Sequence, residues 1–386
     1  MAGKSVVVLG GGIGGVAAAS HLRRQLSRDD RVALVNKGKK HLFLPSLLWV
    51  TFGLREPVTI ERDLSILEKK GIDVVIGDIT GVDTDNNKVL IGGDELSYDY
   101  LVVALGADLE FDRIPGLAEG GQTFYNLEGA LKLNKELDEF QSGRLAVVVS
   151  DMPYKCPAAP FEASMLIEER LKKRGVRDKI DMQVYIPTPL PMGVAGAKVG
   201  KAVMGLVESK DVGFNVNMKL SSVNIKAGTL VFNENDEVGY DLLVAVPPHV
   251  APSAVRVSKI AGPNGWIPVD PNSLATKVPN VFAIGDVASI KLSNEKMLPK
   301  AGVFANAQAE VVASRIADRI KGQEPKSEFN GFGSCFIETG SKRAGFASGN
   351  FYAEPDPDIR LRALRPWWLW MKVMIERRWL KRFFGG

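Results

Sequence analysis

Ser5-Val-Val-Val-Leu9-Gly10-Gly-Gly12-Ile-Gly-Gly15-Val-Ala-Ala-Ala-Ser20 decides the fold of this 386-residue chain. Five consecutive strand-forming residues reach a glycine run, and the glycines open an alanine-rich helix predicted over Val16–Leu26. In that strand-turn-helix context Gly10 permits a tight turn, Gly12 lets backbone approach a pyrophosphate, and Gly15 allows close helix-strand packing. A second strand, Arg31-Val-Ala-Leu-Val35, follows at the spacing of a βαβ unit. At its end, where an acidic residue normally takes ribose hydroxyls, stands Asn36, which can still hydrogen-bond a hydroxyl.

Composition narrows the class. With 45% hydrophobic residues the chain can bury a large core and divide into two or three domains. Its net charge of +4 is too small to imply nucleic-acid binding. No uncharged apolar run is long enough to span a bilayer. Met1-Ala-Gly-Lys4 leads directly into a strand, so no signal peptide is expected and the cytoplasm is the default compartment. Two cysteines are too few for a stapling framework; if they pair, a redox role is expected.

Tyr98-Asp-Tyr-Leu-Val-Val-Ala104-Leu-Gly106-Ala107 and Val278-Pro-Asn-Val-Phe-Ala-Ile-Gly285-Asp286-Val-Ala288 each end a buried strand in a glycine turn. With the N-terminal motif they resemble the two-dinucleotide-binding-domain flavoproteins. That resemblance implies an α/β fold of two Rossmann-like domains and FAD as cofactor. It assigns Asp286 to a ribityl hydroxyl and points the helix Ala301–Ile316, opening at Ala301 and Gly302, at the flavin pyrimidine; the bland reading of Asp286 is a helix cap. Residues 1–113 and 264–322 are then expected to form the FAD-binding domain, 114–263 an inserted Rossmann-like domain, and 323–386 a C-terminal region.

The inserted domain is expected to carry a second phosphate loop after the strand Arg144–Ser150. Instead the turn reads Asp151-Met-Pro-Tyr-Lys-Cys156-Pro-Ala-Ala-Pro160, without glycine, before a helix predicted over Phe161–Arg174. A pyrophosphate needs close backbone approach and a free helix N-terminus. Three prolines remove donors and stiffen the path. Cys335 lies in a glycine-punctuated strand after the FAD domain, where a lone cysteine is usually a small buried hydrophobe.

Tyr154-Lys-Cys156-Pro-Ala-Ala-Pro-Phe-Glu162, Leu298-Pro-Lys300-Ala-Gly-Val-Phe-Ala-Asn-Ala-Gln-Ala-Glu310 and Gly333-Ser-Cys335-Phe-Ile-Glu-Thr-Gly340 resemble the sulfide:quinone oxidoreductase and flavocytochrome c sulfide dehydrogenase family. The likeness runs over nearly the whole chain. It implies that Cys156 and Cys335 form a redox pair at the flavin, Cys156 forming the persulfide and Cys335 attacking the flavin, with the reverse roles open. Many members carry a third cysteine, absent here. Hydrosulfide suits such a pair, since it can attack a disulfide, release one thiolate and leave a persulfide. Glu162 is a candidate proton acceptor or an ordinary N-terminal helix charge. Lys300 and the amides after it could favour negative charge on reduced flavin. Of three histidines, His249 follows a buried strand and could face the cleft, whereas His21 and His41 read as helix-surface and loop residues.

Residues 360–386 hold eight Lys or Arg against one Glu and four of the six tryptophans. Aromatic rings and long basic side chains settle at a membrane surface, so the tail reads as a peripheral attachment to the cytoplasmic face of the membrane. Arg378 and Arg382 fall near Met371 and Ile375 on its helical wheel, so the stripe is mixed, and a helix covering the core is the alternative. Quinone is the acceptor expected beside a membrane-facing tail, with Phe332, Phe346, Phe351 and Tyr352 as candidates for its pocket. No haem-attachment motif is present. The sequence alternatives are a type II NADH:quinone dehydrogenase, a sulfide dehydrogenase flavoprotein with a cytochrome acceptor, and a flavin-containing sensor or scaffold. Sulfide, quinone and the membrane surface are the expected partners, and a homo-oligomer is left open.

Overall fold

Residues 3–385 are described by the computed structural model, in which Ser5–Leu9 is the central strand of a five-stranded parallel sheet. The order runs Val281–Ala283, Tyr100–Val103, Ser5–Leu9, Arg31–Asn36, Asp73–Ile76. Val6 and Val8 enter one apolar core with the helices Ile13–Gln25 and Gly302–Ile320, while Val7 and Leu9 enter another with Val255 and Trp266. Both faces are therefore covered, which is why this strand is continuously apolar rather than alternating.

The two helices lie against each other through small side chains, Ala17 and Ala18 on the first and Ala309, Ala313 and Ala317 on the second, all buried. Each is longer at one end than the sequence predicts: the first begins at Ile13, inside the glycine run, and the second extends to Ile320. His21 and His41 depart from the surface positions expected for them. His21 is buried against the Phe383 ring, and His41 is wholly buried in the short strand Lys40–Leu42.

A second parallel sheet follows the same plan: Gly121–Gln122, Leu242–Val246, Gly143–Val149, Ile180–Tyr185, Gly213–Asn215. Helix Ala159–Arg174 covers one face and begins two residues earlier than predicted, since Pro160 fits the first turn of a helix. Three antiparallel strands, Phe332–Glu338, Ala344–Asn350 and Asp358–Arg365, then lead into the helix Pro366–Phe384. The chain is thus α/β with two Rossmann-like sheets and a C-terminal region packed across them.

That last helix buries Trp368, Glu376, Leu380, Phe383 and Phe384 and leaves Trp367, Trp370 and Ile375 exposed. Core-covering and solvent-facing roles therefore belong to opposite faces of one helix. No helix among the described residues is long and apolar enough to cross a membrane.

Gly15 is the tightest point of the first motif, because a Cβ there would lie 1.7 Å from the Gly10 carbonyl oxygen. Gly15→Ala must push the helix off the sheet, an overpacking cost of about 1–3 kcal/mol. The expected result is a lower denaturation midpoint with loss of flavin on gel filtration; unchanged stability and flavin content would contradict this packing.

Candidate active site

The central strand of the second sheet, Gly143–Val149, leads into the turn that holds Cys156. After Val149 the chain passes Ser150, whose hydroxyl bonds the Val246 carbonyl at 2.6 Å, and enters the proline-rich turn. Cys156 takes a left-handed conformation, φ +54°, which is uncommon for a residue with a Cβ. Two hydrogen bonds hold it there: its N–H donates to the Lys300 carbonyl at 2.7 Å, and its own carbonyl accepts from Ala159 N–H at 2.9 Å. Lys155 pairs with Lys300 in a parallel bridge. The cysteine turn is therefore fastened by backbone to the segment just before the helix Gly302–Ile320.

Cys335 comes from the other side, on the strand Phe332–Glu338 opposite Ala347. Both cysteines are free thiols and line one cavity of about 1190 Å³, together with Lys300, Ala301, Trp266 and His249. By surface area they are half-buried, because the cavity opens to solvent, yet protein surrounds each sulfur closely. Burial pushes the Cys156 thiol up to about 12, Glu162 adding to the shift and Lys372 opposing it. Burial, and then Cys156, raise Cys335 well above the usual thiol range.

Glu162 is nearly fully buried one turn into its helix. Its Oε1 accepts from the Glu338 N–H at 2.7 Å and from Lys372 Nζ at 2.8 Å. Lys372 also reaches Glu338 Oε2 at 3.2 Å, where Trp49 Nε1 donates at 2.9 Å. Burial raises the Glu162 carboxyl against the pull of Lys372. Burial alone would lower the Lys372 ammonium, but Glu162 and Glu338 outweigh it and hold it raised and charged. The sequence reading counted Lys372 as a membrane cation, and Glu338 and Trp49 were not singled out. A signal existed: Trp368, Lys372, Glu376 and Trp379 recur at three- and four-residue spacing, one face of a helix.

On the opposite wall Lys300 is buried, its Nζ donating to the Asp286 carbonyl and lying 3.5 Å above the Trp266 ring. Burial lowers it to about 8, with Asp286 opposing. Burial raises the half-buried Asp286, and the charges of Lys155 and Lys300 resist that shift. His249 lines the same cavity, stacks edge-on to Tyr125 at 4.9 Å, and places Nδ1 2.8 Å from the Pro247 carbonyl oxygen. That contact requires a proton on Nδ1 in the neutral ring, and burial and then Lys155 lower its pKa to about 3. Of the four aromatics suggested for a quinone pocket, Phe351 lines this cavity. Phe332 is exposed, Phe346 stacks on Trp368, and the Tyr352 hydroxyl bonds the Pro271 carbonyl.

The glycine loop fits a dinucleotide. A Cβ at Gly12 or Gly106 would meet nothing within 4 Å, leaving open space beside backbone, whereas one at Gly10 would strike the Ala104 carbonyl oxygen at 2.4 Å. Gly10 and Gly285 have φ of +102° and +72°. At Asn36, Oδ1 accepts from Gly11 N–H and Nδ2 donates to the Gly38 carbonyl, both at 2.7 Å. The side chain braces the loop itself.

The chain belongs to the pyridine nucleotide-disulphide oxidoreductase family, whose pattern matches residues 4–149 and 179–310. Residues 150–178, with the Cys156 turn and its helix, are the internal segment outside that match. It is a flavoprotein oxidoreductase with FAD as its cofactor. Among relatives, it is 29% identical over 364 residues to a mitochondrial sulfide:quinone oxidoreductase of Mus musculus, covering 91% of this chain and 79% of that one. It superimposes on the structure of the sulfide:quinone oxidoreductase of Aquifex aeolicus with a TM-score of 0.90 at 26% identity, over 99% of this chain and 92% of that one. A type II NADH:quinone oxidoreductase of Staphylococcus saprophyticus is 25% identical over 346 residues, covering 84% of this chain and 85% of the other.

Removing Lys372 strands two buried carboxylates. Lys372→Met is expected to destabilise the protein by about 3–5 kcal/mol near neutral pH. Because the folded Glu162 pKa is raised, the folded state holds more protons than the unfolded one above the ordinary glutamate range. Its contribution to stability is then lost as pH rises through the raised value. The variant's deficit should shrink on acidification, read by denaturant titration at pH 7.5 and pH 5; an equal deficit at both would contradict the charge argument.

Proposed function

We propose that this chain oxidises sulfide at Cys156 and Cys335 and delivers the electrons through FAD to quinone at a membrane surface. One observation carries the reading: two cysteines remote in sequence line a single cavity beside Lys300 and Ala301, and Cys156 occupies the turn where a nicotinamide dinucleotide would need glycine.

Gly10, Gly12 and Gly15 would hold the FAD pyrophosphate, with Ala104, Gly106 and Gly285 at neighbouring strand ends. Asp286 would hold the ribityl chain, and Ala301 and Gly302 the pyrimidine end. When bound, FAD supplies a two-electron acceptor that can pass reducing equivalents to quinone.

In the oxidised pair, hydrosulfide attacks the Cys156 sulfur, a new S–S bond forms, and the Cys335 thiolate leaves. Cys156 then carries the persulfide and Cys335 the electron pair. A buried thiolate is costly here, as the raised thiol values indicate. Lys372 lowers that cost for both sulfurs, and Glu162, held between Lys372 and the Glu338 amide, would exchange the proton. On the far wall Lys300 presents a cation and the helix after it its N-terminal amides, which favour negative charge on the cofactor. His249 stays neutral, so its ring adds no competing charge.

The exposed Trp367, Trp370 and Ile375 beside Arg377, Arg378, Lys381 and Arg382 support attachment to a membrane surface, with the cytoplasmic face as the proposed side.

Anaerobic sulfide should bleach the visible flavin absorption, and a soluble quinone should restore it. In Cys335→Ser the flavin should remain bound while sulfide-driven bleaching falls by at least about a thousandfold, as expected for a residue required in the reacting unit. Bleaching by NADH alone would replace this reading with the NADH:quinone dehydrogenase. A flavin inert to both would favour a sensor or scaffold.

A further inference from the structure

The C-terminal helix has an outer face of two halves. Trp367, Trp370, Met371, Met374 and Ile375 occupy the first, and Arg377, Arg378, Lys381 and Arg382 the second. One stripe, Trp370, Met374, Arg377, Lys381, runs along the helix at four- and three-residue spacing. Its exposed basic end borders a groove. Arg377 and Lys381 line a groove of about 650 Å³ between this helix and residues 53–62, with Arg55, Arg62 and Leu54 on the facing wall.

The groove holds four cations against two carboxylates, Glu56 and Glu376, a net charge of +2. Glu376 is already engaged, accepting from Arg55 Nε at 3.0 Å and from the Ser46 hydroxyl at 2.6 Å. Arg62 is bonded only to main-chain carbonyls, those of Thr59 and Glu61. Among the described residues, no carboxylate lies within 4.0 Å of Arg62, Arg377 or Lys381. Three cations without a carboxylate partner among the described residues line one recess, which is the arrangement a phosphate oxyanion neutralises.

The apolar part of the stripe names the rest of the ligand. Trp370 and Leu54 are exposed, 59% and 53%, and no core covers them. The eleven residue steps from Trp370 to Lys381 span about 16 Å at a rise of about 1.5 Å each. That is close to half of the ~30 Å hydrocarbon thickness of a bilayer. A free phosphate would use the groove and leave the stripe bare. A phospholipid uses both.

We propose that this groove seats the phosphate of an anionic phospholipid whose acyl chains lie along Met374 and Trp370. The inference rests on the membrane-surface reading above and deepens it, from general adhesion to a site with one occupant. It is independent of the cysteine chemistry, whose residues line a different cavity.

The test uses the full-length flavoprotein and vesicles of phosphatidylcholine, with and without phosphatidylglycerol, in a sedimentation assay. Wild type should partition onto the anionic vesicles and only weakly onto the neutral ones. Each interfacial cation is worth about fivefold in partitioning, so Arg377→Gln/Lys381→Gln should bind about twenty-five-fold more weakly. Arg378→Gln/Arg382→Gln removes the same charge from the adjoining stripe, outside the groove, and should lose markedly less. Equal losses in the two pairs would mean diffuse electrostatics and overturn the seat. So would equal binding of wild type to both vesicles, or its displacement by millimolar inorganic phosphate at constant ionic strength, which would assign the groove to a free anion. If the first pair fails to fold, judged by flavin absorption and melting, Arg62→Gln tests the same groove from its other wall. Bleaching by sulfide in vesicle-free samples of the same proteins reports the catalytic reading separately.

Discussion

A single buried ammonium, that of Lys372, joins three parts of the chain that the sequence keeps far apart. It reaches into the protein from the C-terminal helix and meets Glu162, on the helix that follows Cys156, and Glu338, on the strand that carries Cys335. Burying these charges is expensive, and only their mutual neutralisation with the Trp49 and Glu338 N–H donors makes the arrangement tolerable. The consequence is positional. Cys335 sits on a strand anchored to this cation, and Cys156 in the turn just before a helix anchored to it, so the spacing of the pair and the docking of the terminal helix are set together.

The opposite wall is fixed by main chain rather than by charge. The bond from Cys156 N–H to the Lys300 carbonyl ties the cysteine turn to the start of the helix that approaches the cofactor, and it requires the left-handed turn at residue 156. Backbone of that kind is held only where its surroundings over-determine it. Side chains above and backbone below thus confine one thiol from both directions.

Much of the framework was legible from strand and glycine spacing, since the motifs at 5–15, 98–107 and 278–288 each end a strand of the first sheet and depend on local backbone demands. The Cys156 turn was legible for the opposite reason: prolines stand where glycines were required. What escaped sequence reading was long-range polar pairing. Lys372 and Glu376 lie in a run rich in tryptophan and arginine, and composition gave them the same meaning as Arg377 and Arg378. Only the register of the buried face separates the two sets, and that register depends on what the helix packs against. His21 and His41 were misplaced for a related cause: the surface that covers them is made by Phe383, Trp379 and Phe384.

His41 connects the two ends of the polypeptide. Its Nδ1 lies 2.8 Å from the Gly11 carbonyl oxygen in the glycine loop, so the neutral ring donates there, and its face stacks on Trp379 at 4.9 Å. Lys70 adds a bond to the Phe383 carbonyl at 2.8 Å. The rings that brace His41 thus come from the C-terminal helix, while the carbonyl it holds belongs to the glycine loop. The shape of the cofactor cradle therefore depends on the docking of the terminal helix, although that helix supplies no residue to the glycine loop itself.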